Sequence, residues 1–140
     1  MAEALNETAT RIIAACEQNW DAWKNDCSGF LKAVGATLGV ALQGNANAIG
    51  TYLETAADWQ NLGSDLATAQ LRANNGMFVV GALNTRGHGH VVVVVATDTP
   101  HPYPVAYWGT FGAAGRKNAT INYSWRASDL ANVKFYARPL

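Results

Sequence analysis

The stretch Gly87-His88-Gly89-His90-Val91-Val92-Val93-Val94-Val95-Ala96-Thr97 decides the fold. β-Branched side chains are stiff at χ1 and suit a pleated strand better than a helix, so residues 90–97 are predicted as a strand. An unbroken apolar run of this kind is the pattern of a buried strand, which places it centrally in a sheet.

Working outward, residues 77–83, 105–110 and 133–138 carry similar strand composition. Between the last two lie a glycine-bearing segment, 112–118, predicted as a loop, and a short piece around 121–125. Upstream the period changes. Ala9, Ile12, Ile13, Cys16, Trp20 and Trp23 recur three or four apart and predict an amphipathic helix over 3–23. After the polar break Lys24-Asn25-Asp26, a second helix begins at Cys27, with Phe30, Leu31, Val34 and Leu38 on one face, and ends near Gly39. Gly44-Asn45-Ala46-Asn47 turns the chain into a third helix reaching about residue 57, and a fourth covers 66–72, stopped by Asn74-Asn75-Gly76. Helices followed by strands, with no repeat and no long linker, read as a single α+β domain over residues 1–140, its N-terminal helices packed on an antiparallel sheet.

With 140 residues, 14.9 kDa and 49% hydrophobic composition, the chain can build a real core. Ten basic residues balance ten acidic ones and form no basic block, which argues against nucleic acid as a partner. No apolar run approaches the ~18 residues of a membrane span, and the first residues lack the charged and apolar pattern of a secretory signal. Two cysteines are too few for a disulfide framework or a four-cysteine zinc site.

The two cysteines differ in position. Cys16 falls mid-helix on the apolar stripe, where a cysteine is a small buried hydrophobe. Cys27 follows Asn25-Asp26 at a capping position, expected to stay near the surface, where the positive end of the helix favours a thiolate. The first-turn amides of Cys27 and Ser28 are candidate oxyanion donors. His90 opens the valine strand after a glycine-rich turn and is the candidate base, although a histidine there can equally do no more than satisfy a carbonyl. His88 and His90 share a strand face, so a zinc site completed by Cys27 or His101 is the competing reading; with no third ligand at motif spacing, no metal or other cofactor is expected.

Asp26-Cys27-Ser28-Gly29-Phe30 resembles the nucleophile motif of NlpC-type cell-wall peptidases, and Gly89-His90-Val91 resembles the opening of their catalytic strand. A closer resemblance, carried by Ile12 to Asp21 around Ala15-Cys16-Glu17-Gln18-Asn19-Trp20-Asp21, by Asn25 to Phe30, by Gly44 to Ile49 and by Tyr103-Pro104 with Gly109, is to the type VI secretion amidase effectors of family one. The resemblance implies a papain-like fold and an antibacterial toxin that cuts the peptidoglycan stem peptide between D-glutamate and meso-diaminopimelate, with Cys27 and His90 in the catalytic positions. It further implies delivery by the type VI apparatus into a target cell's periplasm, without a signal peptide, and a dedicated immunity protein as partner; a monomer without membrane insertion is expected. The third catalytic position, filled in NlpC-type enzymes by a polar side chain on the strand after the histidine, aligns with Trp108, whose indole only donates. Thr110, Asp98 or a backbone carbonyl are the candidates instead. Asn45, Asn47 and Trp108 are candidate substrate contacts.

Overall fold

A computed structural model describes residues 6–140. Asn6 accepts a hydrogen bond from the Ala9 N–H and so caps α1 (Glu7–Trp23); residues 3–5, included in the predicted helix, lie outside the described residues. Helices α2 (Cys27–Leu38) and α3 (Ala46–Thr55) follow, then the short strand β1 (Gln60–Gly63) and helix α4 (Leu66–Asn74). Asn75 and Gly76, with φ 86°, stop α4 as the sequence predicts.

The second half supplies β2 (Phe78–Leu83), β3 (His90–Val94), β4 (Val105–Thr110), β5 (Ala113–Thr120), a single 3-10 turn at Ile121–Tyr123, α5 (Ala127–Leu130) and β6 (Lys134–Arg138). The strands form one antiparallel sheet in the order β1-β6-β2-β3-β4-β5, so the valine strand is interior as expected.

Strand alternation explains why every position of β3 after His90 is apolar. Val91, Val93 and Val95 face a core built with α1, α2 and α3, while Val92 and Val94 face a second core with Ala69 and Ala73 of α4, Trp125 and Leu130. Each fully buried valine contributes roughly 2 kcal/mol of hydrophobic stabilisation. The α+β expectation is met, with the refinement that α4 covers the face opposite the first three helices.

Segment 112–118 corrects the sequence reading: most of it belongs to β5, an edge strand whose residues 113–120 lie at or near the surface on both faces. Such a strand shows no apolar alternation, so its glycine and its charges look like a loop.

One irregularity of the sheet prepares the site. Strands β3 and β4 are in register at Val93↔Tyr107 and Val94↔Ala106, but the ladder does not continue to the His90 end. There β4 turns to the segment between α1 and α2 instead: the N–H groups of Thr110 and Gly115 both donate to the Lys24 carbonyl, at 3.0 and 2.7 Å. Gly109 permits this approach, since a Cβ at that position would collide with the carbonyls of Trp23 and Asp26. The N-terminus of α2 thereby enters the gap between two neighbouring strands.

Candidate active site

Cys27 is the first residue of α2. Asp26 caps the helix, its Oδ1 accepting from the Gly29 N–H at 3.0 Å and from the Ser28 hydroxyl at 3.2 Å. This cap occupies the third amide of the helix and leaves the N–H groups of Cys27 and Ser28 directed toward the thiol, where both favour its anionic form. Lys24 is held by β4 and β5, and Asn25 donates to the Ala113 carbonyl at 2.7 Å, so the turn before the cysteine is fixed by the strands it faces.

The expectation of a surface-lying, acidified cysteine is corrected. Cys27 is only 8% exposed, and burial pushes its thiol above the ordinary value. Against that, the backbone of Val91, paired with Ala82 of β2 but not with β4, offers a hydrogen bond to sulfur; the Asp26 carboxylate raises the pKa again. A charged cap on the same helix end offsets part of the positive potential that the sequence reading relied on.

His90 is the first residue of β3, opposite Leu83. Its Nε2 lies 2.6 Å from the Ser124 hydroxyl, and the Trp125 ring meets the imidazole edge-on, with centroids 5.1 Å apart and planes at 71°. Burial alone lowers the His90 pKa to about 4. Ser124 and Trp125 are set by the preceding turn, since both of their N–H groups donate to the carbonyl of the fully buried Ile121.

Ser124 is the residue that sequence reasoning missed. Thr110, a predicted partner of His90, lines the cleft, but the side chain hydrogen-bonded to the ring is that of Ser124. Asp98 is exposed beyond the opposite end of β3 and bonds to Thr99, which removes it from the candidates. Trp108 is 2% exposed in the second core and does not line the cleft; its carbonyl accepts from the Trp20 indole. No spacing rule connects His90 with a serine 34 residues on, and a hydroxyl beside a tryptophan after a tight turn has no pattern of its own.

Cys27 and His90 line one cleft of about 540 Å3, together with Asn25, Asp26, Ser28 and Asn45 on one side and Gly87, His88, Thr110 and Phe111 on the other. Asn45 is at the wall, with its side-chain oxygen committed to capping α3 through the Ala48 N–H. Asn47, a predicted substrate contact, serves the backbone instead. Its Nδ2 donates to the Thr85 carbonyl at 2.7 Å and its Oδ1 accepts from the Thr85 N–H at 3.0 Å. It clamps the turn that delivers His90, and Gly89 has no Cβ because the Asn47 carboxamide occupies that space.

The zinc alternative finds no ligand set: among the described residues no three His, Cys, Asp or Glu side chains gather around a point. His88 stacks outward on Phe111 while His90 turns inward to Ser124, and His101 is exposed past the far end of β3.

No protein-family model matches the chain. It is, however, 33% identical over 141 aligned positions to the peptidoglycan amidase Tse1 of Pseudomonas aeruginosa, an alignment spanning 92% of this chain and 90% of that protein. Similarity of this depth and extent makes the chain an amidase-type hydrolase. Within that class it belongs to the family of type VI secretion amidase effectors.

Proposed function

We propose that this chain is an antibacterial effector that hydrolyses an amide of the peptidoglycan stem peptide, between D-glutamate and meso-diaminopimelate, through a Cys27 thioester. The observation that carries the reading is the opening of Cys27 and His90 into one cleft at the gap between β3 and β4.

With the thiol raised and the imidazole lowered, both groups are neutral at pH 7 before substrate arrives. The mechanism uses the tautomer in which His90 Nε2–H donates to the Ser124 hydroxyl 2.6 Å away, which leaves Nδ1 as the base. Nδ1 takes the Cys27 proton as sulfur attacks the carbonyl carbon, and the amides of Cys27 and Ser28 receive the oxyanion. The imidazolium then protonates the departing amine, the C–N bond breaks, and a thioester remains. His90 next deprotonates a water molecule, which attacks the thioester and releases the new carboxylate and the free thiol. Substrate that displaces water from the cleft strengthens each of these polar contacts.

Peptidoglycan as substrate follows from the amidase relative. Delivery by the type VI apparatus to a target periplasm, and an immunity protein protecting the producer, follow from family membership. No helix among the described residues is long and apolar enough to cross a membrane.

Purified sacculi incubated with the protein and analysed by mass spectrometry provide the test. The reading expects stems ending in D-glutamate together with released fragments beginning with diaminopimelate. A muropeptide profile identical to that of untreated sacculi refutes it.

A further inference from the structure

The mouth of the cleft carries two side chains that the proposed chemistry does not use. His88, on the turn before β3, and Phe111, at the end of β4, both line the cleft and stack with ring centroids 4.9 Å apart and planes within 20°. Each sits beside a glycine in the left-handed region, Gly87 with φ 92° and Gly112 with φ 77°, so both turns are shaped to bring these rings over the gap in the sheet. Phe111 is 74% exposed and belongs to neither core. Beyond its stacking on His88, Phe111 adds nothing to either core, and its other face is open to what enters the cleft.

The charges of the cleft point to the role of the pair. Its ionisable walls are Asp26, Cys27, His88 and His90, with no lysine or arginine. His90 is committed to Ser124 and, in the proposed reaction, to sulfur. The stem peptide carries carboxylates on both residues flanking the proposed scissile bond, and these must approach the Asp26 carboxylate. Of these ionisable walls His88 is the one with a ring N–H not already assigned to a partner or to the reaction, and it can donate a charge-assisted hydrogen bond to a carboxylate.

We infer that His88, held flat against Phe111, is the specificity-determining residue of the cleft and binds a free carboxylate of the stem peptide beside the scissile amide. This inference rests on the proposed amidase reaction. Phe111 is then a positioning residue, fixing the imidazole plane and shielding one side of the carboxylate contact from water.

The test compares stem peptides that differ only in amidation, either at the glutamate α-carboxyl or at the free side-chain carboxyl of diaminopimelate. Wild-type protein is expected to cut the doubly free peptide about tenfold better in kcat/KM than one of the two amidated forms, a ratio equivalent to ~1.4 kcal/mol. In His88→Ala that ratio falls to about one through a rise in KM for the free peptide, and Phe111→Ala reduces it in the same direction. Circular dichroism of both variants checks folding, which substitutions at these exposed positions should preserve. An unchanged ratio in His88→Ala, or a wild type that ignores amidation at both positions, overturns the inference and leaves the amidase reading intact. A wild type that cuts none of the peptides overturns both.

Discussion

Protonating His90 should cost the fold a measurable part of its stability. Burial lowers this imidazole from an ordinary 6.5 to about 4, a gap worth about 3 kcal/mol at ~1.4 kcal/mol per pH unit. The sign follows from which state binds the proton. Below pH 6.5 the unfolded chain takes up a proton that the native site refuses, so stability is whole above 6.5, falls with pH and is mostly lost by 4.5. The assay is urea unfolding at pH 7.5 and 4.5 for wild type and for His90→Gln, whose side chain does not titrate. Glu17 and Glu54, both held below the usual carboxylate range by tyrosine and lysine partners, are common to the two proteins and cancel in the comparison. Wild type is expected to lose about 2–3 kcal/mol more than the variant between the two pH values. Equal losses within ~0.5 kcal/mol, the usual scatter of surface effects, would refute the buried neutral imidazole.

Other substitutions separate the parts of the site. Ser124→Ala removes the hydroxyl 2.6 Å from His90; because the ring becomes cationic during turnover, kcat should fall about 10- to 100-fold, and Ser124→Thr should recover most of it. Unchanged kcat in Ser124→Ala would remove Ser124 from the machinery. Cys27 in the free protein should react with iodoacetamide at pH 7.5 more slowly than an unstructured peptide thiol, because burial raises its pKa; faster labelling, read by peptide mass spectrometry, would contradict that. Asn47→Ala should release the turn over residues 85–89 and cost about 1–3 kcal/mol, with faster amide exchange at that turn as the readout and unchanged exchange as the contrary result. Cys16, fully buried in α1, should tolerate Cys16→Ala at a cost of about 1 kcal/mol with hydrolysis retained; an inactive but fully stable variant would exchange the roles of the two cysteines.

The parts of the fold legible in the sequence are those in which periodicity coincides with burial. The stripe of α1, the capped start of α2 at Cys27 and the valine strand all follow from residue spacing, and the structure places them where it directs. Strands β1 and β5 were not legible because they are sheet edges: Gln60–Gly63 is four residues long, and the exposed Arg116-Lys117-Asn118 of β5 has no buried face to mark it. The site divides in the same way. A cysteine at a helix start and a histidine at a strand start are visible as positions, whereas their environment depends on packing. The break in pairing between β3 and β4, the carbonyl of Lys24 that holds β4 aside, and the serine that meets His90 are contacts across the fold with no local signature. The resemblance directs attention to Cys27 and His90, which line one cleft; its match for the third position, Trp108, lies in the core, and Asp98, weighed in its place for its acceptor oxygens, lies at the other end of the strand.

In the proposed reaction sulfur is the atom that takes the acyl group. Stem peptide mixed with the protein, quenched in acid within milliseconds and digested for mass spectrometry, should yield the Cys27 peptide carrying the mass of the stem fragment up to glutamate, and Cys27→Ala should give neither adduct nor product. Product formation by Cys27→Ala at the wild-type rate would contradict it.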